Sequence, residues 1–200
     1  SVLVTADASD KPADVLKTYD TIAAALRDCA PYARILIREG EWSGQMIIDK
    51  PVQLVGRARE TGAEVRIVQA LREGLEVSLS EQWRRSSDVV RLAGLTVVRK
   101  GDRVEMPGTA AIQVTAGALI VEDCVIRDVF RQAIGVGNLS AGDELQRPRA
   151  TIRRCRILRP GRAGIAVIGE ADVQVESCEI IGAVENGIEL TAKPATLTAT

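Results

Sequence analysis

The feature that most constrains the fold is a short apolar phrase that recurs in the second half of the chain. Its copies begin with leucine or cysteine and lie at residues 95–97, 124–126, 155–157 and 178–180. A second phrase, with isoleucine as its second residue, follows at 111–114, 133–136, 164–167 and 187–190. Recurrence at such regular spacing is typical of a chain built from units that stack on one another.

The distances between copies give the size of the unit. Cys124 and Cys155 are 31 residues apart, whereas Cys155 and Cys178 are 23 residues apart. The basic turn is therefore about 22 to 23 residues, with insertions in some turns. Inside a turn, apolar residues alternate in steps of two between corners rich in Gly, Asp and Asn, which indicates short strands joined by bends. We expect an all-β solenoid in which each strand stacks on its equivalent one turn later.

The beginning of the chain predicts a helix instead. Residues 18–31 read as one short helix with Thr18 or Asp20 as N-cap and Pro31 as its stop. Its apolar face is predicted to consist of Ile22, Ala25, Leu26 and Cys29. We expect residues 1–32 to form an N-terminal segment with this capping helix. Residues 33–200 are expected to form the solenoid, within one structural domain.

Two segments after the helix carry a resemblance to a known family. One is a strand that ends in Gly40-Glu41-Trp42, and the other reads Lys50-Pro51-Val52-Gln53-Leu54-Val55-Gly56. With the repeat, they resemble the right-handed, single-stranded parallel β-helix of the pectin-lyase-like superfamily, and this opening is similar to that of pectin-methylesterase-like β-helices. The resemblance implies that the first helix covers the open end of the solenoid. Because the chain lacks an initial methionine and the repeat is still running at residues 187–190, we also expect it to be part of a longer protein, and we expect that protein to be bacterial.

The phrases that carry catalysis in that superfamily do not occur. The pectin methylesterase and polygalacturonase motifs are missing, and the chain contains no histidine. We therefore expect a non-catalytic scaffold or interaction domain without a cofactor, whose partner is a protein or the rest of the parent chain. The alternative is a polysaccharide lyase, epimerase or hydrolase acting on an acidic polysaccharide. Calcium is expected only under that alternative.

Composition narrows the partners further. The formal net charge is −1 and aromatic residues make up only 2% of the chain, which argues against nucleic acid because bases need aromatic stacking partners. No apolar stretch is long enough to span a membrane. Unpaired thiols favour a reducing, cytoplasmic compartment.

Seven arginines without one acidic residue occupy residues 147–162. Equivalent positions of adjacent turns lie about 4.8 Å apart, and acidic residues stand at many of those positions. We therefore predict that most of these arginines form ion-pair ladders with neighbouring turns. Arg153, Arg154 and Arg156, which surround one corner, are the candidates for binding an anion such as an acidic polysaccharide.

The cysteines have a structural explanation. Cys124, Cys155 and Cys178 share one position of the repeat and are expected to form an inward column. No CxxC pair or histidine completes a metal site, so we predict no bound metal.

Two insertions, at residues 100–108 and 138–147, are the places where recognition loops would project. They flank the turn that holds Asp123, Arg127, Asp128 and Arg131. Under the enzyme alternative, these four residues are the candidates for acid, base or metal ligand.

Overall fold

The computed structural model describes residues 2–4, 17–57, 62–69, 74–85, 87–99, 110–138, 147–191 and 196–200. Strands dominate these residues and form three sheets, which we call A, B and C. Every strand pairing within the sheets is parallel. One short α-helix and one 3-10 turn at Glu81–Trp83 complete the described elements.

Sheet A has nine strands. In spatial order they are β2 (Lys17–Tyr19), β1 (Val2–Val4), β3 (Arg34–Arg38), β6 (Gln53–Arg57), β9 (Val89–Ala93), β12 (Ala118–Glu122), β15 (Arg149–Arg153), β18 (Asp172–Glu176) and β21 (Thr196–Ala199). The two N-terminal strands β1 and β2 were not expected from the sequence. They extend sheet A beyond β3.

Sheets B and C have six strands each. Sheet B consists of β4 (Gly40–Ser43), β7 (Val65–Gln69), β10 (Thr96–Arg99), β13 (Val125–Arg127), β16 (Arg156–Leu158) and β19 (Glu179–Ile181). Sheet C consists of β5 (Met46–Ile48), β8 (Leu75–Ser78), β11 (Ile112–Ala116), β14 (Ile134–Asn138), β17 (Ile165–Gly169) and β20 (Ile188–Thr191).

One strand of each sheet, taken in chain order, makes a coil. Coil 1 is β3–β5, coil 2 is β6–β8, coil 3 is β9–β11, coil 4 is β12–β14, coil 5 is β15–β17 and coil 6 is β18–β20. Each strand pairs with its equivalents in the adjacent coils, so that Arg149 lies opposite Asp172 and Ile165 opposite Ile188. The prediction of an all-β solenoid of stacked parallel sheets is confirmed.

The core lies between the three sheets and is built from stacked columns. One column of sheet C contains Ile112, Ile134, Ile165 and Ile188. The cysteine column is confirmed as well, because the nitrogen of Arg156 bonds the carbonyl of Cys124 at 3.0 Å and that of Glu179 bonds the carbonyl of Cys155 at 2.9 Å. All four cysteines are free thiols. Stacking of like residues keeps successive coils the same width.

Left-handed residues form the corners between sheets A and B. Gly94, Asp123, Arg154 and Ser177 occupy this corner in successive coils, with φ between 51° and 64°. A second corner, after the sheet B strand, uses Asp128, Arg159 and Gly182. A single residue in the left-handed region turns the backbone sharply and lets a strand run directly into the next sheet.

The α-helix α1 spans Ile22–Asp28, and its N-cap is Thr21, whose hydroxyl accepts a hydrogen bond of 3.1 Å from the nitrogen of Ala24. The predicted caps Thr18 and Asp20 are wrong, because Thr18 pairs with Leu3 in sheet A and the helix begins after that strand. The predicted apolar face is confirmed as buried. The helix packs against β5, β1 and β2 at one end of the solenoid. Within the described residues, no helix is long and apolar enough to span a membrane.

Candidate functional site

The outer surface of coils 4 to 6 carries a lattice of arginines and carboxylates. Its centre is Glu122, whose side chain is only 1% exposed. Arg91 of coil 3 contacts one carboxylate oxygen of Glu122, and Arg153 of coil 5 contacts the other through Nε at 2.7 Å. Arg154 adds a third contact at 3.3 Å. One carboxylate therefore joins three consecutive coils.

The corner columns pair in the same way. Arg154 donates to both carboxylate oxygens of Asp123 at 2.8 Å. Arg159 donates to both oxygens of Asp128 at 2.7 and 2.9 Å. Two-point contacts of this kind are the strongest guanidinium–carboxylate geometry.

These contacts lower the pKa values of three carboxyl groups. The hydrogen bond from Arg154 lowers the pKa of Asp123, and that from Arg159 lowers the pKa of Asp128. At Glu122, burial by itself raises the pKa, but the hydrogen bonds from Arg153 and Arg91 outweigh it and leave the pKa below its usual value. All three carboxyls are therefore held as anions.

Between coils 5 and 6 the arginines of coil 5 reach acidic residues of coil 6. These pairs are Arg147 with Glu170 at 3.0 Å, Arg156 with Glu179 at 2.7 Å and Arg162 with Glu185 at 2.9 Å. The predicted ladders are confirmed. Arg153, Arg154 and Arg156, the candidates for anion binding, each have a carboxylate partner inside the chain.

The structure places the four catalytic candidates in contacts with other residues of the chain. Asp123 and Asp128 each bind their own arginine of coil 5. Arg127 contacts Glu64 at 3.2 Å and Asp128 at 3.6 Å. Arg131 is half-buried, and its carbonyl accepts a hydrogen bond of 3.2 Å from the nitrogen of Arg162. Residues 100–108 and 139–146, which make up nearly all of the two insertions, lie outside the described residues.

Among the residues that the structure describes, no group of three or more His, Cys, Asp or Glu side chains could hold a metal ion. The thiols of Cys29, Cys155 and Cys178 are also poor nucleophiles, whereas the hydrogen bond with Cys155 lowers the pKa of Cys124. Burial raises the pKa of Cys29 and Cys178, and a hydrogen bond with Cys124, together with burial, raises the pKa of Cys155. A high pKa keeps a thiol protonated and unreactive.

A groove of about 490 Å³ runs along the outer face of sheet A. Val89, Ala118 and Ile120 contribute an apolar part of its lining. Its polar lining is formed by Arg149, Thr151, Asp172, Gln174 and Thr198, from three successive strands. The spacing follows from the parallel register, in which Ile120, Thr151, Gln174 and Thr198 form one outward column.

Arg149 differs from the other arginines of the basic run. It is half-buried in this groove, and no described residue forms a hydrogen bond or ion pair with its guanidinium, although Asp172 lies opposite it in the register. Sequence reasoning placed Arg149 in the run but did not single it out. The available signal was its position in a sheet A strand, facing the same side as Thr151.

Comparison of the chain with protein-family models, with curated proteins and with solved structures gave no match.

Proposed function

We propose that this chain is a non-catalytic scaffold and interaction domain that binds an acidic polysaccharide in the groove of sheet A. In this proposal the solenoid is a right-handed parallel β-helix with turns of about 22 to 23 residues, of the kind found in the pectin-lyase-like superfamily. One observation carries the ligand assignment: in the groove, the guanidinium of Arg149 has no hydrogen-bond or ion-pair partner among the described residues, whereas the other arginines of its run bind carboxylates of this chain.

The chemistry of the groove supports a sugar that bears a carboxylate. A guanidinium binds a carboxylate through two parallel hydrogen bonds. Thr151, Gln174 and Asp172 can bond neighbouring hydroxyl groups, and the apolar part of the lining can contact the ring face. Because the groove crosses several coils, it suits a chain of sugars better than a single one.

The charge lattice supports binding without turnover. A general acid needs a proton near neutral pH, but the pKa values of Asp123 and Asp128 are lowered by their arginines. Arg127, one of the two arginine candidates for a base, is held by two carboxylates. These residues form ion pairs that join different coils, and we assign them no chemical step.

The test is binding of polygalacturonate and alginate to the purified chain by isothermal titration calorimetry. We expect Arg149→Gln to weaken binding about tenfold or more, because it removes the charge-assisted contact. Arg156→Gln is the matched control, since Arg156 lies in the same coil but is paired with Glu179. It is expected to leave binding nearly unchanged.

Turnover is measured in parallel, with and without calcium. Cleavage or epimerisation that Asp128→Asn or Arg127→Ala abolishes would replace the scaffold proposal with the enzyme alternative. Equal losses in Arg149→Gln and Arg156→Gln would show that net charge, and not the groove, drives binding.

A further inference from the structure

Two aromatic side chains meet at the corner that leads from sheet C into sheet A. Tyr32 precedes β3, and Trp83 belongs to the 3-10 turn that precedes β9. Their ring centroids are 5.7 Å apart, and the two ring planes are perpendicular. The chain has only two Trp, two Tyr and one Phe, so two of its few aromatic residues lie side by side here. We call this pair the aromatic corner.

Tyr32 is exposed but held in place. It is 58% exposed, yet its hydroxyl donates a hydrogen bond of 2.7 Å to Asp88, which is only 2% exposed. Its backbone lies in the left-handed region, with φ of 63°. That conformation is unfavourable for a tyrosine and persists only where the surroundings fix it. An exposed aromatic ring that is already fixed loses little conformational entropy when it binds a ligand.

The strand register places Tyr32 in line with the sheet A groove. The second outward positions of successive strands form one column, which contains Arg34, Gln53, Arg91, Ile120, Thr151 and Gln174. Tyr32 stands two residues before the first member of this column. Val89 and Arg149, which line the groove, stand two residues before later members. The aromatic corner therefore lies on the same outer surface as the groove, four coil steps or about 19 Å from Arg149.

The arginines beside the aromatic corner favour an anionic ligand. Arg34 is exposed at the start of β3, and Arg85 is exposed two residues after Trp83. No described residue forms a hydrogen bond or ion pair with either guanidinium, and Arg85 contacts Asp88 only through its backbone nitrogen. The pKa of the Tyr32 hydroxyl is raised by its hydrogen bond to Asp88, and the nearby charge of Arg85 acts in the opposite direction. A positive charge therefore lies close to the exposed ring.

We propose that the aromatic corner is a second subsite for the acidic polysaccharide of the groove, in which one sugar ring packs against Tyr32. This inference rests on the proposed function and specifies its ligand, which follows the solenoid axis and reaches from Arg149 to Tyr32. The C–H face of a pyranose ring packs against the aromatic ring, and a carboxylate of the same chain of sugars binds Arg34 or Arg85. Contact at both subsites by one molecule raises its affinity above that of either subsite alone.

The test compares two ligands, decagalacturonate and trigalacturonate, by isothermal titration calorimetry. The short oligomer cannot span the distance between Arg149 and Tyr32, whereas the long one can. Tyr32→Asn removes the ring, and asparagine tolerates the left-handed backbone of this position. We expect Tyr32→Asn to weaken binding of the long oligomer about tenfold and to leave binding of the short one nearly unchanged. Arg149→Gln is expected to weaken binding of both.

Two further variants show whether the aromatic ring is responsible. Tyr32→Phe keeps the ring but loses the hydrogen bond to Asp88, and we expect it to weaken binding of the long oligomer by a smaller factor than Tyr32→Asn. Ile47→Ala is the matched control, because Ile47 is a similarly exposed apolar residue of coil 1, at 54%, but lies in sheet C. It is expected to leave binding of both oligomers unchanged.

Tryptophan fluorescence gives a readout at the aromatic corner itself. Trp42 is buried, with its Nε1 donating to the carbonyl of Arg38 at 2.9 Å, whereas Trp83 is only partly buried. Quenching by acrylamide therefore reports mainly on Trp83. We expect the long oligomer to protect Trp83 from quenching in the unmodified chain and to protect it less in Tyr32→Asn.

The outcomes separate this inference from the proposed function. Unchanged affinity of Tyr32→Asn for the long oligomer, with a loss in Arg149→Gln, would overturn the aromatic subsite and leave the groove proposal standing. Equal losses for the two oligomers in Tyr32→Asn would also overturn the subsite, because the substitution would then act on the groove through the fold. A loss in Tyr32→Asn without one in Arg149→Gln would overturn the groove and support the aromatic corner. Circular dichroism of each variant checks that the solenoid is intact.

Discussion

Coils 5 and 6 are consecutive turns of the same repeat, but equivalent apolar side chains are buried to different extents in them. Their strands pair in register, and equivalent residues are 23 positions apart. Coil 5 lies between two neighbours, and Ile165 is fully buried, whereas Ile188, at the same position of coil 6, is half-buried. The same kind of side chain therefore contributes different amounts of stability, according to whether a coil covers it on both sides.

The comparison teaches that the repeat sets the shape of each coil but the neighbours set its energetics. Burial of apolar surface stabilises by about 25 cal/mol per Å², and Ile188 of coil 6 buries less of its surface than Ile165 of coil 5. Substitutions at equivalent positions of enclosed and terminal coils should differ accordingly. The following experiments are ordered by the size of the expected difference.

The largest difference is expected for alanine in place of two glycines with nearly the same φ angle. Gly137 of β14 has φ of 132° and Gly40 of β4 has φ of 129°. A methyl group on Gly137 would overlap the carbonyl of Ile168 in coil 5, whereas nothing lies within 4 Å of the equivalent atom on Gly40. We expect Gly137→Ala to lower the free energy of unfolding by about 3 kcal/mol or more, and Gly40→Ala by the smaller cost of backbone strain alone. Urea unfolding of both variants measures this, and equal losses would show that coil contact is unimportant at Gly137.

The next difference concerns the isoleucine column. Ile165→Ala should destabilise by about 2 to 4 kcal/mol because it leaves a cavity between coils. Ile188→Ala should cost about 1 kcal/mol, since its side chain is already partly in water. Thermal and urea unfolding give both values. Similar costs would mean that coil 6 is covered in solution.

The charge lattice offers a third comparison. Glu122→Gln removes the anion that three arginines share, and we expect a loss of about 2 to 3 kcal/mol, below the full value for a buried pair because the arginines are partly exposed. Glu179→Gln breaks one exposed pair and should cost less than about 1 kcal/mol. Added salt should reduce the loss of stability in Glu179→Gln more than that in Glu122→Gln. The opposite order would contradict the assignment of Glu122 as the carboxylate that joins three coils.

The last comparison concerns the slope of stability against pH, with and without two of the paired carboxyls. Because the arginines lower the pKa values of Glu122, Asp123 and Asp128 in the folded chain, the stability that they provide is complete above the ordinary carboxyl pKa near 4 and is lost as the pH falls below it. Unfolding measured between pH 7 and pH 2.5 should show this decline, and Asp123→Asn with Asp128→Asn should make it shallower. An unchanged slope in that double variant would contradict the assignment.

Counting the repeat was enough to predict the columns of the core and the ladders of charge, because both follow directly from register. Cys124 stacks on Cys155, and Arg159 meets Asp128, as that counting requires. The helix start was missed because Thr18 reads as a good cap in isolation, but its backbone is committed to sheet A. Pairing with a distant strand leaves no local trace in the sequence.

The groove was harder to predict for a related reason. Arg149 stands among six other arginines, and its neighbour in the register, Asp172, would predict one more ion pair. Which arginine remains unpaired depends on side-chain directions at the surface of sheet A. The strand register determines which residues are adjacent, but it does not determine which adjacent side chains form ion pairs.

Pairing restricted to adjacent coils also has a consequence in time. From β3 onward, each strand pairs only with the equivalent strands of the previous and the next coil. Opening can therefore begin at an end of the solenoid and proceed one coil after another. Opening from the coil 6 end should then grade the exchange rates of amide hydrogens by distance from that end, fastest in β19 and β20, slower in β16 and β17, and slower still in β13 and β14. The lifetime of a backbone hydrogen bond is thus expected to depend on the position of its residue along the solenoid axis.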